Sequence, residues 1–221
     1  MTQTNSLLNA FVYIIESPSD LDLLNGQNEG QALTATLNLC KIPSIYNLVC
    51  NKNTFKESLL NRVVNARNTY ELLPILHFSM HGSEDGIGFT DGDFISWHEL
   101  RELLIQVNRK LNFLPLICFS SCYGISSLMM EYNNQSTSSF YAILGHRGEL
   151  SWSNSAVAYI TFYNRFFQGS SIDEAFEAMK AATGDDNFNF FRAENIKKAY
   201  ISESINPRQL NSRVVLMGDF Q

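Results

Sequence analysis

Leu73-Pro74-Ile75-Leu76-His77-Phe78-Ser79-Met80-His81-Gly82 and, further on, Leu116-Ile117-Cys118-Phe119-Ser120-Ser121-Cys122-Tyr123-Gly124 are the two stretches that decide the fold. Each is an apolar run of strand length that stops at a chemically versatile side chain close to a glycine. Between them, Ile87–Phe89 and Phe94–Ile95 flank Thr90-Asp91-Gly92-Asp93, and an Asp-Gly pair between apolar residues marks a hairpin. Ser96 and Glu99 then form a capping box, with Trp97, Leu100, Leu103, Leu104, Val107 and Leu111 following at helical spacing. A hairpin and one helix suit a right-handed connection between parallel neighbours. Neighbouring strands would bring His81 and Cys122 out at one sheet edge, beyond the carboxyl ends, where open α/β sheets bind ligands.

Working outward, residues 10–15 predict a first strand closed by Ser17-Pro18, residues 30–39 a helix and residues 44–50 a second strand. Thr54 and Glu57 suggest a capping box opening a helix that runs to Arg67. The third strand spans 73–80, the fourth 113–119 and the fifth 140–144. Helices follow over 154–167 and over 172–182, the latter capped by Ser171 with Glu174. Residues 213–217 predict a short last strand. This alternation predicts an α/β fold with a mostly parallel central sheet flanked by helices. One domain over 1–221 is expected, with its core over about 10–185 and residues 186–221 as a C-terminal extension or a last helix and strand.

The 221 residues are 45% hydrophobic and 17% charged, a globular balance with enough apolar material for one sizeable core. A net charge of −6 without a long Lys/Arg run argues against direct nucleic-acid binding. The longest apolar runs are strand-sized, and no basic residue precedes the first of them, so neither a membrane span nor a secretory signal is expected. Four cysteines, Cys40, Cys50, Cys118 and Cys122, include no C-x-x-C pair, and the expected location is the reducing cytoplasm.

A thiol becomes a good nucleophile only as the thiolate, so a neighbouring base matters, and imidazole both accepts a proton near neutral pH and returns it to a leaving amine. The pair therefore reads as nucleophile Cys122 and general base His81. Gly82 leaves its backbone open to a substrate carbonyl, as an oxyanion donor must. His77/His81 and Cys118/Cys122 each have a ligand-like spacing of four, but His77 and Cys118 lie inside apolar strands, too far back for one zinc ion to reach all four. No metal and no cofactor are expected. Gly82-x-x-x-Gly86-x-Gly88 lacks the Gly-Lys-Ser/Thr of a phosphate loop, which weakens a nucleotide-binding alternative. His98 is placed on a helix surface, and Trp152, Tyr159, Phe162, Tyr163, Phe166 and Phe167 mostly in the core, with one or two of them lining a substrate groove as the alternative.

The two quoted segments resemble the paired signatures of caspase-like cysteine peptidases: a hydrophobic strand ending in His-Gly, and a second ending in small residue-Cys-x-Gly. Their order and their separation of 41 residues (122 − 81) are similar to that family's. Leu23-Leu24-Asn25-Gly26 with Asn28-Glu29-Gly30-Gln31-Ala32-Leu33 resembles its segment after the first strand. Gly145 through Lys180 is similar to the bacterial CHAT branch. The resemblance covers about residues 10–185.

It implies a caspase-like three-layer sandwich with a small hairpin after the His81 strand. It also implies endopeptidase cleavage of a protein or peptide through a thioester, with the N–H groups of Gly82 and Cys122 as the oxyanion hole. The relatives it points to act in regulated proteolysis, antiviral defence and cell death. A protease always active in the cytoplasm would be hazardous, so activation by cleavage, dimerisation or a protein partner is expected. Two positions before the nucleophile, metacaspases carry an acid and caspases a glutamine; Ser120 stands there. Glu149 is the candidate acidic wall of the specificity pocket, with Asp20 and Asp22 behind it. The polar stretch 131–139 is a candidate processing site. The competing reading is a catalytically silent pseudo-protease serving as a binding or scaffold module.

Overall fold

The structure, a computed structural model, describes residues 9–131 and 137–203. The stretch that decides the fold is strand β3, Leu73–Met80, buried from Pro74 onward. It pairs in parallel with β1 (Ala10–Ser17) on one side and β7 (Leu116–Ser120) on the other. Outside these lie β2 (Ser44–Leu48) and β8 (Ala142–His146), also parallel, and the antiparallel edge strand β9 (Phe188–Arg192). The order β2-β1-β3-β7-β8-β9 means the chain steps from β1 out to β2, then returns to the far side of β1. That reversal opens a crevice between the carboxyl ends of β1 and β3.

Both faces are covered. Alternation along β3 sends Leu76, Phe78 and Met80 to one face and Ile75 and His77 to the other. The first face packs under α3 (Lys52–Glu57), a π-helical turn at Ser58–Arg62, α4 (Val63–Tyr70) and α5 (Trp97–Leu111). The second packs under α2 (Glu29–Leu39), α6 (Trp152–Phe167) and α7 (Ile172–Thr183). Between β3 and α5 a small antiparallel sheet forms from β4 (Gly82–Ser83), β5 (Gly86–Gly88) and β6 (Phe94–Ser96). The result is a three-layer sandwich with a hairpin directly after His81, as the sequence led us to expect.

Several boundaries differ from the sequence reading for identifiable reasons. The helix expected from Thr54 is capped earlier, at Asn51, whose side chain accepts from the Thr54 N–H while Thr54 caps back. The fourth strand starts at Leu116 rather than 113, after Pro115, which has no N–H to give a ladder. A short helix α1 (Asp20–Leu24), capped by Ser19 with Asp22, follows β1. The sheet runs beyond residue 185, because β9 pairs with β8 and α8 (Ala193–Glu203) follows it. The strand expected at 213–217 lies outside the described residues. No helix among them is long and apolar enough to cross a membrane.

Candidate active site

Register places the two reactive side chains. Ser79 of β3 lies opposite Ser120 of β7, so two residues further along each strand direction His81 stands level with Cys122. Two residues is one full pleat, and both side chains therefore turn to the face covered by α6. There they line one cleft of about 290 Å³ with Gln27, Met80, Ser120, Ser121, Leu150, Trp152 and three serines at the start of α6, Ser151, Ser153 and Ser155.

The backbone around the pair is tightly fitted. A Cβ on Gly82 would fall 2.3 Å from the Cys122 carbonyl oxygen, so no side chain can stand there without moving the Cys122 peptide. The Gly88 N–H donates to the His81 carbonyl (2.9 Å), which makes Gly82 and Ile87 a non-hydrogen-bonded pair. The Gly82 N–H consequently points away from β5. The Cys122 N–H has no backbone partner among the described residues. Tyr123, with φ of 54°, turns the chain sharply after the cysteine. Gly124 then packs so closely under Phe119 that a Cβ would meet it at 2.6 Å.

His81 is half-exposed, and its Nε2 lies 2.7 Å from Asp22 Oδ2. Asp22 is itself held by four donors: Ser19 N–H (2.9 Å), Ser19 Oγ (2.6 Å), His81, and Trp152 Nε1 on the other oxygen (3.1 Å). Burial pushes the Asp22 carboxyl up, but hydrogen bonds from Ser19, His81 and Trp152 outweigh it and bring it down to about 2. The Trp152 ring meets the His81 ring edge to face at 5.5 Å. The Cys122 sulfur accepts from the Leu150 N–H (3.3 Å) and lies 3.7 Å from the Leu150 carbonyl.

The loop bearing Leu150 is pinned. His146 is 3% exposed; its Nε2 meets Asp185 Oδ2 at 3.1 Å, and its Nδ1 accepts from the Gly148 N–H. The Tyr123 N–H donates to the Gly148 carbonyl, tying that loop to the turn after Cys122.

The structure thus brings His81, Cys122, Gly82 and Ser120 together. Ser120 is fully buried, hydrogen bonded through Oγ to Ser155 Oγ of α6, and forms the cleft floor. Glu149 and Asp20 are exposed, and neither they nor Asp22 line the cleft. Of the aromatics expected mostly in the core, Trp152 is the one that lines the cleft, at the first turn of α6 against His81. Leu150, Gln27 and Ser155 carried no signal of their own. The Ser19–Asp22 spacing marks a helix cap, and nothing in it points to the contact with His81.

No family model and no curated protein matches the sequence. Among solved structures, the fold is similar to the X-ray structure of a secreted C11 cysteine protease, "iotapain", from Bacteroides thetaiotaomicron. The TM-score is 0.58 at 10% identity, over 86% of this chain and 68% of that one. The architecture is therefore a caspase-like three-layer sandwich, and the likeness is one of fold.

Proposed function

We propose that the chain is a caspase-like cysteine endopeptidase. The observation that carries the reading is the level placement of His81 and Cys122 just beyond the carboxyl ends of adjacent parallel strands, lining one cleft with the Gly82 and Cys122 N–H groups beside them. Cys122 Sγ would attack the scissile carbonyl carbon while His81 takes the thiol proton. The oxyanion would accept from the Gly82 and Cys122 N–H groups, each such donor contributing about 3 kcal/mol where measured elsewhere. As the C–N bond breaks, His81 would protonate the leaving amine, and water would then hydrolyse the thioester with His81 as base. No step requires a cofactor.

The cleft lining supports a narrower expectation. Among the described residues it carries no charged side chain apart from His81 when protonated; serines, Gln27, Met80, Leu150 and Trp152 make its walls. A buried charge at P1 would lose hydration with nothing to offset it, so an uncharged P1 side chain fits best. The sequence likeness to the CHAT branch further suggests a bacterial cytoplasmic protease in regulated proteolysis, antiviral defence or cell death, acting on a protein substrate and switched by a protein partner. The hold of Leu150 on the sulfur accords with a resting enzyme whose 147–151 loop an activator rearranges. A P1-scanning fluorogenic library tests the reading: turnover of uncharged-P1 peptides that vanishes with Cys122→Ala supports it. Thiol-independent turnover overturns it.

A further inference from the structure

Resting on that reading, we infer that Asp22 is the positioning residue of the site, making a Cys–His–Asp arrangement in which the carboxylate fixes the orientation and tautomer of His81. The charge of Asp22 leaves two roles open, orienting the imidazole or recognising a basic substrate side chain. Geometry separates them. Oδ2 already takes three donors, Ser19 N–H, Ser19 Oγ and His81 Nε2, and Oδ1 takes the indole N–H of Trp152. The side chain is 11% exposed and is not among the residues that line the cleft. A carboxylate so occupied has little capacity left for a substrate cation.

The consequence for His81 is specific. An ionised carboxylate only accepts, so Nε2 must carry the hydrogen of the 2.7 Å contact. In the neutral ring that leaves Nδ1 as the nitrogen able to take the Cys122 proton. Asp22 also faces the imidazolium formed after that transfer, at a distance where opposite charges attract. Trp152 contributes twice, its N–H holding Asp22 and its ring limiting rotation of His81. Because Ser19 and Asp22 cap α1 while Trp152 begins α6, the imidazole is clamped between the segments that follow β1 and β8.

The test compares wild type with Asp22→Asn, Asp22→Glu and Trp152→Phe, with Cys122→Ala as the control for the underlying reading. The readouts are peptide hydrolysis and imidazole ¹⁵N resonances. Asp22→Asn should place the His81 hydrogen on Nδ1, lower kcat by about 10²-fold or more with KM little changed, and leave the P1 preference as it was. Asp22→Glu should recover part of the loss, and Trp152→Phe should fall between. Unchanged tautomer in Asp22→Asn, or a kcat within twofold of wild type, overturns the inference, as does a P1 preference that moves while kcat holds. Silence of wild type in hydrolysis would instead count against the peptidase reading, and the tautomer comparison would still decide the role of Asp22.

Discussion

Strands β3 and β7 carry the same two residue types twice. His77 pairs in register with Cys118, and four residues later His81 stands level with Cys122. All four turn to the same face, about 13 Å apart from pair to pair at strand rise. Yet the inner pair is sealed. His77 and Cys118 are fully buried; His77 Nδ1 meets the Tyr163 hydroxyl at 2.9 Å, its Nε2 lies 3.5 Å from the buried Glu29, and burial pushes the Cys118 thiol up to about 12. The outer pair sits in the cleft, with Asp22 on the imidazole and Leu150 on the sulfur. Helix α6 spans the difference: Trp152 and Ser155 serve the outer pair, Tyr159 and Tyr163 the inner one. Residue type alone therefore does not make a reactive site. Position relative to the carboxyl end of the strand does, because only there are donors and solvent within reach.

The contrast is sharpest in the cysteines. Cys122→Ala should lower peptide hydrolysis by about 10⁴-fold or more, whereas Cys118→Ala should keep it within about threefold, measured on protein of matched circular dichroism. Equal losses would erase the distinction. The histidines should separate in the opposite currency. His77→Ala takes a buried partner from Glu29 and one from Tyr163 and should cost about 3 kcal/mol of stability in urea unfolding, with the folded fraction still active.

Gly82→Ala probes the outer pair's backbone. The added Cβ must displace the Cys122 carbonyl, and a shift of this kind should cost about 10²-fold in kcat/KM with a smaller change in Tm. An active Gly82→Ala would show that this close packing is not needed for the chemistry.

The smallest expected effect concerns acid. Asp22 falls to about 2 in the folded chain from an ordinary 3.8. Its contribution, about 2 kcal/mol by linkage, is fully present above the ordinary value and is lost as pH falls through 2. Asp22→Asn should remove that pH dependence while leaving stability changes above pH 5 flat. Identical acid-unfolding curves for the two proteins would contradict the hydrogen-bonded carboxylate.

How far the sequence carried this picture depended on the kind of signal. The bounds of β3, the hairpin at Asp91-Gly92 and the helix capped by Ser96 were legible because apolar run length and capping spacing are local properties. His81 and Cys122 were legible because each ends such a run. Strand β9 was not, since Phe188-Asn189-Phe190-Phe191-Arg192 is short, only half-buried and finds its partner from far upstream. Glu149 was favoured over Asp20 and Asp22 as an acidic pocket wall by its place after the fifth strand, and no carboxylate partner for His81 was expected. Which carboxylate reaches His81 depends on the turn of α1 and the crossing of α6, and neither is written in a spacing. Ser155 beneath Ser120 is the same case: a helix residue becomes a cleft floor only through packing.

The most direct test of the central claim is hydrolysis of a P1-scanning fluorogenic peptide library by wild type and by Cys122→Ala side by side. Wild type alone should turn the peptides over, fastest for uncharged P1 residues. Turnover that survives the loss of the Cys122 thiol, or a wild type whose Cys122 neither cleaves peptides nor reacts with a peptide-aldehyde or iodoacetamide probe, would contradict it.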